Sequence, residues 1–334
     1  MALSLFQYIR LKAIALVIRS VVRIATAIRF LLHPQPKYQN RQHLRIPSRE
    51  PGRFIIADLY TPDQYSNGSR ANVKDDSDNG KRTPIVINWH GSGFVIPSLR
   101  SDAPYCSLIA NETGIPVLDA DYRKGPEHPF PAALEDVEDV LTWIVTTQSS
   151  RFDPRNIVLS GFSAGANLAL VASSSLQQQL RQRLPSAAER DFEIKATVAF
   201  YPVTNFTILP EAKVVPKPRY PIRPALGYVF DACYVPDSVV DRSVMRNPLI
   251  SPSLADERSF PATLVIVTCE GDTLAPEANE LAERLKRGEG RKVVSVQLEG
   301  VGHAFDKFLG GIERKRREEA YGLVVEVLRE AFER

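Results

Sequence analysis

Gly161-Phe162-Ser163-Ala164-Gly165 is the segment whose residue types point most directly to chemistry. It fits G-x-S-x-G, follows the apolar run Ile157–Ser160 and opens the small-residue run Ala164–Leu180. That is the strand–turn–helix setting of a nucleophile elbow, in which a sharp turn exposes the serine hydroxyl. Flanking glycines let the strand and helix approach closely. A serine hydroxyl is a weak nucleophile and needs an adjacent base. Five histidines allow elimination. His33 sits in a proline-broken arm, His43 in a polar linker, His90 at the start of a Gly-rich turn, and His128 between prolines. His303 follows the late apolar run Val293–Leu298, at a strand end that would share a sheet edge with the elbow. It is the expected base.

The base needs a carboxylate to fix its tautomer and stabilise the imidazolium. Asp272 follows the apolar run Thr263–Cys269 and is the expected partner. Glu270 and Asp306 are its rivals; one comes early, at the strand end, and the other after the histidine. A tetrahedral intermediate needs backbone donors. Gly91, Ser92 and Gly93 follow the apolar run Ile85–Trp89, and Ala164 follows the nucleophile. These four residues are the expected oxyanion hole, with Gly91 giving the loop its freedom and His90 tying it down. The chemistry is two-step acyl transfer through Ser163, His303 and Asp272, with a small-molecule ester as substrate. It implies no cofactor and no metal, and the chain shows no HExxH or nucleotide-binding glycine loop.

The elements that must position these residues alternate. Short apolar runs at Arg53–Tyr60, Ile85–Trp89, Ile115–Asp119, Ile157–Ser160, Ile194–Tyr201, Thr263–Cys269 and Val293–Leu298 read as strands. Asp102–Thr113 (with Ser101 as cap), Pro131–Thr147, Ala164–Leu180, Pro276–Lys286 and Glu313–Phe332 read as helices. Strands alternating with helices predict a mostly parallel sheet covered on both faces. Ser66–Arg82 reads as a solvated loop. Pro202–Pro252, with nine prolines in 51 residues, reads as an insertion without regular pattern.

The 334 residues carry a net charge of +3, unevenly divided. Residues 1–49 hold nine Lys/Arg and no Asp or Glu; the other 285 carry 33 basic and 39 acidic groups. A basic arm, 1–49, therefore precedes a mildly acidic domain, 50–334. In residues 3–32 the longest internal charge-free stretch is Ala13–Ile18, too short for the ~20 residues of a spanning helix. No signal-peptide core is legible. Lys12, Arg19 and Arg23 fall within about 40° on a helical wheel. Two readings stay open: a helix lying in an anionic membrane surface, or one packed on the body. Nucleic-acid binding is disfavoured by the acidic body and the lack of aromatics interleaved with the basic residues. Cys106, Cys233 and Cys269 are odd in number and widely spaced, against a disulfide framework. An intracellular location is expected over secretion, either cytoplasmic or peripherally membrane-associated, the endoplasmic reticulum included. A homodimer stays open.

Four separated motifs resemble the hormone-sensitive-lipase-like α/β-hydrolases, a group that includes microbial and plant carboxylesterases and arylacetamide deacetylase. They are His90-Gly91-Ser92-Gly93, the run Asp121–Ala133 (DYRKGPEHPFPAA), Gly161–Gly165, and Asp272 followed by His303. The resemblance covers about Ile85 to Phe305. The family usually has three glycines after the loop histidine; here the middle one is Ser92. The resemblance implies an α/β-hydrolase fold and serine carboxylesterase activity on small to medium acyl esters. It implies that Asp121–Ala133 brackets the oxyanion loop, leaving Glu127 and His128 outside the catalytic set. It also implies a cap built from the N-terminal segment and the insertion, about 202–255. Two alternatives go with it. One is a tailoring deacetylase or lactonase of specialised metabolism; the other is a non-catalytic ligand-binding receptor on the same fold, like the plant gibberellin receptor.

Overall fold

A computed structural model describes residues 4–33, 38, 40–63 and 82–332. Most of the predicted loop Ser66–Arg82 lies outside them. Eight strands form one sheet: β1 (Arg41–Pro47), β2 (Phe54–Tyr60), β3 (Thr83–Trp89), β4 (Val117–Ala120), β5 (Phe152–Phe162), β6 (Ile194–Phe200), β7 (Thr263–Cys269) and β8 (Lys292–Leu298). Their order is β1-β2-β4-β3-β5-β6-β7-β8. The β1/β2 and β2/β4 pairs are antiparallel, and the rest are parallel.

The helices are α1 (Leu5–Leu32), α2 (Ala103–Thr113), α3 (Ala132–Val145), α4 (Ala164–Val171), α5 (Gln177–Arg183), α6 (Ala187–Arg190), α7 (Pro224–Tyr234), α8 (Ala275–Lys286) and α9 (Gly311–Phe332). Side chains alternate across the parallel strands. Val265, Val267 and Cys269 join the layer made with α2 and α9, whereas Leu264 and Ile266 pack towards α8. Both faces of the sheet are thus covered, which is why these strands read as continuous apolar runs.

Four expectations change. His43 is not in a linker but in β1, bonded to Asp58 at 2.9 Å. Residues 41–47 of the basic arm therefore belong to the sheet. Only Leu44 and Ile46 of this edge strand turn towards the core, too few to show as a pattern. Asp102, not Ser101, stands at the start of α2, and its carboxylate bonds Lys307, Ser101 and Asn88 instead of helix N–H groups. The run Ala164–Leu180 is broken at Ala172–Leu176 into a π-helical turn. Ser173 and Ser174 hydroxyls both donate to Leu170 O there, competing with the regular ladder. The Pro-rich insertion contains α7, whose Pro224 stands at the first turn, where proline's missing N–H costs nothing.

Candidate active site

Ser163 lies between β5 and α4 with φ 51° and ψ −115°, a left-handed conformation that costs about 1–3 kcal/mol in a non-glycine residue. The surroundings enforce it. Ser163 N–H donates to Phe200 O at 2.9 Å, and Ser163 O accepts Asn167 N–H at 3.0 Å. The crossing is tight. A Cβ on Gly165 would stand 1.9 Å from Trp89 O, and one on Gly161 would stand 2.3 Å from Gly165 O. The two glycines are therefore required for α4 to start directly over β3 and β5.

The carboxyl ends of β7 and β8 deliver the partners. His303 Nε2 lies 3.0 Å from Ser163 Oγ, and His303 Nδ1 lies 2.8 Å from Asp272 Oδ2. A carboxylate only accepts, so Nδ1 carries a proton and Nε2 is left to accept from the serine O–H. Asp272 is buried, and its other oxygen accepts Leu274 N–H at 3.0 Å. The Tyr201 ring meets the imidazole edge-on, with centroids 4.9 Å apart.

The rival acids are engaged elsewhere. Glu270 accepts Gly300 N–H at 3.0 Å. Asp306 is held by Tyr201, Tyr321 at 2.9 Å and Lys307 at 2.6 Å. Burial alone would raise the Asp306 carboxyl, but Lys307 and the two phenols outweigh it and hold it below its usual value.

The loop after β3 runs under the nucleophile. Gly91 stands against Phe162 O and Ser163 Cβ. Gly93 (φ 55°) and Phe94 (φ 60°) take the left-handed positions, and Ser92 does not. The serine thus replaces a glycine without strain. Its hydroxyl shares a 2.7 Å bond with Tyr122 OH and accepts Phe94 N–H at 2.8 Å. Among the described residues, the N–H groups of Ser92, Gly93 and Ala164 have no protein acceptor. All three residues line the same cavity as Ser163 and His303.

Beneath the loop, His90 is buried, bonded to Gly91 O at 3.0 Å and Asp121 Oδ1 at 3.1 Å, and stacked on Tyr122. Burial would raise the Asp121 carboxyl, but His90 and Lys124 hold it well below the usual range. Burial also pushes the Lys124 ammonium down to about 8, despite its contacts with Asp121. Two residues to which the sequence alone assigns no individual role matter here. Tyr122 OH donates to His90 O at 2.7 Å, joining loop and bracket, and Tyr201 flanks the imidazole. An aromatic residue inside a structural motif or at the end of an apolar strand reads as core, so neither hydroxyl nor ring carries a signal of its own.

The cavity above Ser163 measures about 1500 Å³. Its walls include Phe206, Ile222 and Phe230 from the insertion and Arg19 and Val22 from α1. Arg19 latches α1 to the body, donating to Val95 O at 2.9 Å, Gly125 O at 2.8 Å and Glu127 at 2.7 Å. The insertion is pinned at both ends, since Asn167 Nδ2 donates to Val203 O and Ile250 O, each at 2.9 Å.

A family model described as the alpha/beta hydrolase fold matches residues 86–307. The chain belongs to the hormone-sensitive-lipase-like carboxylesterases. Relatives of this carboxylesterase-family chain carry names of the same enzyme class. It is 29% identical over 228 residues to the carboxylic ester hydrolase LipN of Mycobacterium tuberculosis, an alignment spanning 68% of this chain but only 58% of that protein. It is also 29% identical to an arylesterase of Saccharolobus solfataricus, over 66% of this chain and 68% of the other. In structure it resembles EstE1, a thermostable carboxylesterase cloned from a metagenomic library. That match has a TM-score of 0.72 and 27% identity, over 95% of this chain and 97% of that one. Among its described residues no helix is long and apolar enough to cross a membrane.

Proposed function

We propose that this carboxylesterase-family chain hydrolyses small to medium acyl esters through Ser163, His303 and Asp272. The observation that carries the reading is the continuous relay from Asp272 Oδ2 through the imidazole to Ser163 Oγ, with links of 2.8 and 3.0 Å. His303 Nε2 takes the serine proton as Oγ attacks the ester carbonyl. The carbonyl π electrons move onto oxygen, where the N–H groups of Ser92, Gly93 and Ala164 receive the negative charge. The tetrahedral intermediate collapses, the C–O bond to the alcohol breaks, and Nε2–H protonates the leaving oxygen. Water then gives a proton to the same nitrogen and attacks the acyl-enzyme, and its collapse returns the proton to Ser163. The imidazole beside the serine favours hydrolysis over a receptor role, which needs no base.

Ser163→Ala is expected to abolish turnover of p-nitrophenyl butyrate while the circular dichroism spectrum stays unchanged. Full activity in that variant would overturn the assignment.

A further inference from the structure

Helix α1 is fastened by a narrow face. Ala15 and Leu11 pack with Val95, Cys233 and Phe230, and Arg19 makes the polar latch. The opposite face is apolar and open. Phe6, Ile9, Val17, Ile24, Ile28 and Leu31 recur at helical spacing and are 54–81% exposed. The helix is about 42 Å long at 1.5 Å per residue, so the open face runs far beyond an isolated surface leucine. Hydrophobic periodicity normally turns such a stripe inward; here the cap turns it out.

The charges beside the stripe select among occupants. Arg10 lies at the edge of the stripe and Lys12 further round the same helix, and residues 1–49 contain no Asp or Glu. A second copy laid on this face would set cation against cation. An anionic lipid surface complements it, with apolar side chains in the acyl boundary and cations at headgroup level. No described helix can span, so the contact lies in the membrane plane. We propose that α1 docks this protein, cap side down, on the surface of an anionic phospholipid membrane. The inner side of the same helix walls the cavity above Ser163, so docking sets the cavity roof against the lipid phase. Docking itself does not rest on hydrolysis and is measurable without it.

The test is flotation of the full chain, and of its Ser163→Ala variant, with vesicles of phosphatidylglycerol and phosphatidylcholine in equal parts. Both proteins are expected to float with these vesicles and to release at high salt. Val17→Glu with Ile24→Glu, two solvent-facing positions, is expected to cut the bound fraction more than tenfold while hydrolysis of p-nitrophenyl butyrate is unchanged. Arg10→Gln with Lys12→Gln is expected to weaken binding about fivefold per charge. Failure of the parent protein to float, or flotation of the double glutamate variant like the parent, would overturn the proposal. So would a light-scattering dimer without vesicle binding that the glutamates dissociate, because a second copy would then be the occupant.

Discussion

His303 Nε2 and Ser163 Oγ lie 3.0 Å apart although 140 positions separate them in the chain. The distance is set by neither loop alone. β5 and β8 run parallel in one sheet with β6 and β7 between them, and both end at the same edge. The strained turn at Ser163 lifts the hydroxyl towards that edge, and the loop after β8 brings the imidazole to it.

Asp272→Asn would put an amide where His303 Nδ1–H needs an acceptor. The amide NH₂ favours the opposite tautomer and places the ring proton on Nε2. A fall in kcat of about 10³–10⁴-fold with little change in KM is expected. Steady-state kinetics on a p-nitrophenyl ester checks it, and a near-neutral result would move the acid role to another residue.

Tyr122→Phe removes the hydroxyl that joins His90 O to Ser92 Oγ. His90 O would then be buried without its partner, at a cost of about 1–3 kcal/mol. The loop N–H groups lose support while substrate contacts stay. A lower Tm and a kcat reduced about tenfold at unchanged KM are expected; a rise in KM alone would mean that Tyr122 shapes binding and not the oxyanion loop.

Two glycine-to-alanine changes should have opposite signs. Gly165→Ala places a methyl group against Trp89 O and should destabilise by at least about 1–3 kcal/mol. Gly322→Ala in α9 meets nothing within 4 Å and should stabilise by about 0.5–1 kcal/mol. Thermal denaturation of the two variants side by side reads both.

Arg19→Gln breaks the latch between α1 and the bracket. The Arg19 hydrogen bond lowers the Glu127 carboxyl below its ordinary value, with burial opposing it. A carboxylate lowered in the fold adds stability above its unfolded pKa and loses it as pH falls through the lowered value. The Tm difference between parent and Arg19→Gln should therefore be largest at neutral pH and narrow under acid conditions, the bonds to Val95 O and Gly125 O remaining. Limited proteolysis near the end of α1 should speed up in the variant at neutral pH. A Tm difference that persists undiminished in acid would show that Arg19 acts through Val95 O and Gly125 O alone.

The parallel half of the fold was legible because its strands are buried on both faces and its helices follow at short intervals. Ser163 could be located from two glycines whose need is steric, and the expected base followed from elimination among few histidines. The structure brings Ser163, His303 and Asp272 into contact, and Gly91, Ser92, Gly93 and Ala164 beside them. Three features were hidden for physical reasons. β1 is an edge strand with two inward side chains, a signal too short for a period of two. α7 was masked by prolines that sit at helix starts, where they are tolerated. The orientation of α1 depends on Ala15 and on one arginine reaching carbonyls on distant loops, and no periodicity reports that. The basic composition of residues 1–49 also suggested an arm ending near residue 49, whereas the sheet begins at Arg41.

The most direct test of the central claim is peptide-level mass spectrometry after treatment with a fluorophosphonate. A relay that activates Ser163 predicts one adduct, on the tryptic peptide containing Ser163, formed rapidly by the parent protein and lost in His303→Ala. An unmodified Ser163 in correctly folded protein, or an adduct formed equally fast without His303, would contradict it.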